Sequence, residues 1–132
     1  MHQFEVVTRA RNEMVEITDR VNSAVRASGV REGLCVVYCP HTTAAITVNE
    51  NADPDVVHDL LLWYSRMVPQ QQPGFRHAEG NSDSHIKATL VGPSVTLLVH
   101  DGAPVLGRWQ GVFFCEFDGP RSRTVQVQVV GS

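Results

Sequence analysis

The 132-residue chain has no apolar run of about eighteen residues, so no transmembrane helix is expected. Its start, Met1-His2-Gln3-Phe4-Glu5, has no cationic lead before an apolar stretch, and no secretory signal is predicted. Basic charge is not in excess. Eleven Lys and Arg stand against fourteen Asp and Glu, a net charge of -3, and no cationic stripe marks a nucleic-acid surface. Cysteine is scarce: Cys35, Cys39 and Cys115 are odd in number and form no C-x-x-C, which suits free buried thiols in a reducing compartment. The G-x-x-x-x-G-K-[ST], G-x-G-x-x-G and H-E-x-x-H patterns are missing, as are internal repeats. These absences lead to an expectation of a cytoplasmic protein whose partners are small molecules, not nucleic acid or membrane.

What remains is an ordinary globular balance, 42% apolar and 19% charged, in a chain long enough to bury one core. The predicted organisation is a single domain over 1–132. Gln3 to Thr8 reads as a strand, with Met14 to Ile17 as its hairpin partner. Thr18 or Asp19 can cap a helix to about Ala27, stopped by Ser28-Gly29, with Val21, Val25 and Ala24 buried. Gly33 to Tyr38 and Ala44 to Val48 are β-branched runs, separated by Cys39-Pro40-His41. Asp53-Pro54-Asp55 is a strong helix start, and Val56, Leu60, Trp63 and Met67 form the stripe expected to be buried. Gln70 to Asn81 reads as a loop, and His85 to Leu90 as a short helix or turn. Three strands follow, Ser94–His100, Leu106–Phe117 and Arg123–Val130, the first two joined at Asp101-Gly102. The pattern predicts an α+β fold: an antiparallel or mixed sheet folded as a β-sandwich with two main helices.

Polar chemistry is concentrated in two places. His77-Ala78-Glu79-Gly80-Asn81-Ser82-Asp83-Ser84-His85-Ile86-Lys87 crowds two imidazoles, two carboxylates and an ammonium into eleven residues. His41-Thr42-Thr43, with Asn49-Glu50-Asn51-Ala52-Asp53 after it, breaks out of an apolar run. Brought together, they could hold a metal ion, a phosphate, or both. Were residues 83–85 extended, Asp83 and His85 would share a side, and with His41 would make a histidine–carboxylate–histidine metal set. Glu50 ends an apolar strand with no structural need for a carboxylate, whereas Asp53 is also explained as a helix cap. Lys87, Arg121 or Arg123 could meet phosphate. Trp109, between Gly107 and Gly111, reads as a core or subunit-interface residue, and burial is the expectation.

Taken in order, these motifs resemble the YjbQ family, often described as secondary thiamine-phosphate synthases, almost end to end. The carriers are His41-Thr42-Thr43-Ala44-Ala45, Asn49 through Val56, His77 through Lys87, Gly107-Arg108-Trp109-Gln110, and Phe113 through Arg121. Arg108 stands where many members have threonine, and Asp83 where some have histidine. The resemblance implies a β-rich α+β subunit in a homotrimer, with a histidine-lined, metal-containing site near subunit boundaries. It implies coupling of an activated pyrimidine diphosphate to a thiazole phosphate, with release of pyrophosphate. The candidate site then comprises His41, Glu50, Asp53 and His85 for catalysis. Thr42, Thr43, Asn51, Glu79, Gly80, Asn81, Lys87 and Arg121 are expected to bind the phosphorylated substrate. His41, Asp83 and His85 are the expected ligands of a divalent metal, zinc or magnesium. The same residues would also serve a metal-dependent hydrolase of a phosphorylated or amide substrate, or a non-catalytic binding module.

Overall fold

Two antiparallel sheets are stacked, and the smaller one is buried on both faces. The computed structural model describes all of residues 1–132. Strands β1 (His2–Val7), β3 (Gly33–Tyr38), β5 (Ser94–His100), β6 (Ala103–Pro104) and β8 (Ser122–Gly131) form one sheet in the order β1-β8-β3-β5-β6. Strands β2 (Glu13–Glu16), β4 (Ala44–Glu50) and β7 (Gln110–Glu116) form the other, in the order β2-β7-β4. Three helices complete the chain: α1 (Thr18–Ser28), α2 (Pro54–Met67) and α3 (Ser82–Val91).

Period-two alternation explains the layering. Ala44 and Ile46 of β4, with Val112 and Phe114 of β7, face the larger sheet, where they join Cys35, Val37, Leu97, Val125, Val127 and α1 in the main core. Their neighbours Ala45, Phe113 and Cys115 face the other way, joining Met14, Phe117 and Ala88 beneath α2 and α3. A strand buried on both faces reads as a continuous apolar run, as Val112-Phe113-Phe114-Cys115 does. The outer face of the larger sheet has no covering layer in the chain and leaves Leu34, Leu98 and Val130 exposed.

The α+β sandwich, the Gly29 stop of α1 (φ 71°) and the Asp53 cap of α2 all match the expectations. Val21, Ala24 and Val25 are buried in α1, as predicted. Several local readings are corrected. β2 pairs with β7, not with β1, whose partner is β8; the two strands expected to form a hairpin lie in different sheets. Neither Thr18 nor Asp19 caps α1. The capping position is Ile17, while Thr18 bonds Glu16 and the Val112 amide. The Asp101-Gly102 turn joins β5 to the two-residue β6, and β7 begins only at Gln110. A third helix, α3, includes Asp83 and His85, so that stretch is not extended.

The buried stripe of α2 is rotated by one residue. Val57, Leu60, Leu61 and Tyr64 pack inward, while Trp63 is 62% exposed. Apolar residues occupy nearly every side of this helix, so spacing alone could not choose the inner face. Trp109, expected to be buried, is 53% exposed in the turn before β7, with the Arg108 guanidinium 4.7 Å above its ring.

Candidate functional site

The register of β4 against β7 sets where the polar motifs go. Ala44 lies opposite Glu116 and Glu50 opposite Gln110, so the His41–Thr43 and Glu50–Asp53 clusters flank opposite ends of β4. Six residue steps at about 3.3 Å put those ends ~20 Å apart. The first end is the richer one. Phe117 and Asp118 follow β7 there, and the start of α3 is bound to them: Ser84 Oγ donates to the Phe117 carbonyl at 2.5 Å, and Asn81 Nδ2 to Asp118 at 2.8 Å.

Two buried ion clusters hold this end. Glu116 is fully buried and accepts from Arg123 Nε at 2.9 Å, Thr8 Oγ1 at 2.7 Å and the Asp118 amide at 3.0 Å. A second arm of Arg123 bonds the other Glu116 oxygen and reaches Thr43 Oγ1 at 2.9 Å. Burial pushes the Glu116 carboxyl up, but the Arg123 guanidinium and the other donors pull it below the usual range. The second cluster is Asp83, which takes a bidentate bond from Arg11 at 2.9 and 3.0 Å and a third from Lys87 at 3.0 Å. Burial again opposes ionisation, yet Arg11 and Lys87 bring the Asp83 carboxyl down to about 2.

Beside them lies an open cleft. Gly74, Phe75, Arg76, His77, Ser82, His85 and Ile86 line a space of 540 Å³ at the first turns of α3. The rings of His77 and His85 stand edge to face with centroids 5.5 Å apart, and His77 is 3.8 Å from Glu79. The first backbone N–H groups of a helix have no intrahelical partner, which favours an anion in this position. The volume lies within the range of small-ligand sites, roughly 300–1,000 Å³.

The expected residues therefore divide into groups. Of the expected residues His85 alone lines the cleft. Asn81 and Arg121 both donate to Asp118, and Glu79-Gly80 is the turn leading into α3. The Thr43 carbonyl, next to His41 and Thr42 in sequence, accepts from the Phe117 amide at 3.1 Å. Lys87 is 2% exposed and spent on Asp83 and Asn12, so the phosphate contact expected of it is not available in this chain. Glu50, Asn51 and Asp53 are at the far end, where Asn51 donates to Glu16 at 2.8 Å and Glu50 accepts from the Asp53 amide. Asp53 itself caps α2 through the Asp55 amide at 2.9 Å. His41, Asp83 and His85 are not gathered, and no three His, Cys, Asp or Glu side chains in the chain are placed to hold a metal. Asp83 is saturated by two cations, and His41 Nε2 accepts from the Thr124 amide at 2.9 Å. The proposed ligands thus do not fit a metal within one chain.

Arg11, Arg76 and His77 were not among the candidates. His77 had a signal, as the first residue of the polar motif, and Arg76 stands next to it. Arg11 had none, because only folding brings it to Asp83, 72 residues away.

The fold and these clusters define a class: a two-sheet α+β domain with buried arginine–carboxylate pairs under one end and a histidine cleft beside them. Sequence comparison is specific. The profile described as "UPF0047 protein YjbQ-like" matches residues 2–132, and the chain belongs to this family. UPF0047 protein MJ1081 of Methanocaldococcus jannaschii is 50% identical over 131 residues, 99% of this chain and 94% of that protein. UPF0047 protein YugU of Bacillus subtilis is 45% identical, covering 97% of each. A YjbQ/UPF0047 crystal structure from Clostridium acetobutylicum superposes with a TM-score of 0.96 at 45% identity, over 98% of this chain and 100% of that one. A YjbQ-like structure from Sulfolobus solfataricus gives 0.94 at 32% identity, covering 99% and 96%. The names of these relatives state no activity.

Proposed function

We propose that the cleft beside α3 binds a phosphorylated small molecule and that the chain is a transferase of the secondary thiamine-phosphate synthase type. The observation that carries this reading is the facing pair His77 and His85, with Arg76 and Ser82, in a cleft at the start of α3. In that reaction the bond from the pyrimidine methylene to the diphosphate oxygen breaks as the thiazole nitrogen bonds to the methylene carbon. The electron pair leaves on pyrophosphate. Arg76 and the helix start would stabilise that charge, and an imidazole would pass a proton to the departing oxygen. The remaining requirement is orientation of two bound reactants.

Homotrimer formation belongs to the same proposal, and the uncovered face bearing Leu34, Leu98 and Val130 is available for it. A second reading, hydrolysis of a phosphorylated substrate, is favoured by the solvent access of His77, whose side chain is 44% exposed. The two readings separate by product. Incubation with the pyrimidine diphosphate and thiazole phosphate should yield thiamine phosphate and pyrophosphate, and the His85→Ala variant should not. Release of inorganic phosphate without coupling would favour hydrolysis. No calorimetric binding of pyrophosphate by the unaltered chain would remove both.

A further inference from the structure

We infer that the cleft beside α3 selects a phosphate ester whose body is apolar and free of hydroxyl groups, with Phe75 and Ile86 setting that choice. The inference rests on the phosphate reading of the same cleft and names the remainder of the molecule bound there. The space exceeds what an anion needs. Counting each oxygen as about one water of ~30 Å³, a phosphoryl group takes roughly 120 Å³ and a pyrophosphate roughly 210 Å³. The cleft has 540 Å³, so more than half of it lies beyond the anion.

The side chains around that space sort by chemistry. Arg76, His77, Ser82 and His85 bring hydrogen-bond donors suited to phosphate oxygens, while Phe75 and Ile86 bring apolar surface. Neither of the two belongs to an apolar core, and they are 37% and 38% exposed. Leu90, 60% exposed, stands one turn after Ile86 on the same side of α3. An apolar body resting on these side chains removes their surface from water, which favours binding. The backbone that carries Phe75 is already held. Gly74 takes a positive φ of 96°, the Phe75 amide donates to the Gln72 carbonyl at 3.2 Å, and Gln70 Nε2 ties the loop to the Gly80 carbonyl at 3.2 Å. Ordering it on binding therefore costs little.

Hydroxyl groups find few partners in the same place. No carboxylate or carboxamide lines the cleft, and its side-chain acceptors are the Ser82 hydroxyl and an imidazole lone pair. A sugar hydroxyl that leaves water against Phe75 or Ile86 goes unpaired, at a cost an apolar group does not incur. The nearby carboxylates do not offset this. Asp83 is buried on Arg11 and Lys87, and Glu79 lies outside the lining with its side chain 72% exposed. Sugar phosphates and nucleotides are therefore disfavoured against an ester with a carbon body.

The test is calorimetric titration of the full chain with pyrophosphate, inorganic phosphate, benzyl phosphate and ribose 5-phosphate. Benzyl phosphate should bind about tenfold more tightly than inorganic phosphate, and ribose 5-phosphate within about threefold of it. Phe75→Ser and Ile86→Ser alter residues outside both cores, so each variant should fold. Each should cut the benzyl gain to about threefold or less, read as the ratio of the two constants in the same variant. Ribose 5-phosphate binding as tightly as benzyl phosphate, or a benzyl gain kept in both variants, would overturn the inference. Pyrophosphate binding with no benzyl gain would also overturn it, yet leave the phosphate reading of the cleft standing. Absence of pyrophosphate binding would take that reading and the inference together.

Discussion

Asp83 and His85 are two residues apart on one helix, yet they belong to different parts of the molecule. Asp83 and Lys87, four residues apart, share the inner face of α3 and are buried with Arg11. His85 is rotated by about 200° from Asp83 at 3.6 residues per turn and lies against His77 in the cleft. The inner face therefore anchors the helix and the outer face is left for a ligand. Density of polar residues in a segment marks a place where chemistry is possible, but part of that density is consumed in holding the rest in position.

The contrast can be broken most severely from the inner face. Asp83→Ala leaves Arg11 and Lys87 with uncompensated charge at a buried site, and should lower unfolding free energy by about 3–5 kcal/mol in urea denaturation. A loss under about 1 kcal/mol would mean that α3 is not anchored by this cluster.

Acid acts on the same carboxylate more gently. Asp83 titrates at about 2 in the folded chain against 3.8 when free, so its contribution is fully present above 3.8 and is lost as pH falls through about 2. That difference corresponds to ~2 kcal/mol, seen as a stability decline between those values that the Asp83→Asn variant lacks.

The outer face should respond in the opposite manner. His85→Ala should change stability by no more than about 0.5 kcal/mol while weakening pyrophosphate binding about tenfold by calorimetry. Equal loss of both would make the cleft structural. At the far end of β4, Glu50→Gln should leave pyrophosphate affinity within about twofold, since that end is ~20 Å from the Thr43 end.

The least invasive measurement concerns tryptophan. Trp63 and Trp109 are both more than half exposed in the single chain. The expected native emission is that of exposed indole, and a blue shift that is lost on dilution would show that another subunit covers at least one of them.

Much of the sandwich was legible before folding. Alternation of Val125 and Val127 with Thr124 and Gln126, the β-branched run of β3, the Gly29 stop and the Asp53-Pro54 start each carry their own local signal. Trp63 was misplaced because its neighbours Leu60, Leu61, Leu62 and Tyr64 are equally apolar and leave the inner side unmarked, and Trp109 because it stands in the turn before β7 and not inside the strand. The β1–β2 hairpin failed for a related reason: proximity in sequence does not choose between a local partner and a better long-range one.

For the candidate site, the inventory was readable from residue order alone: which segments carry imidazole, carboxylate and guanidinium, and that they match one family. Residue type and short spacing suffice for that, because side-chain chemistry and local backbone preference travel with the chain. Which of these groups are free depends on the packing. Asp83 and Lys87 are consumed by Arg11 and each other, Glu116 by Arg123, and His41 Nε2 by Thr124. Those partners come from distant strands, and a buried charge or a lone pair is claimed by whichever donor the packing brings within about 3 Å.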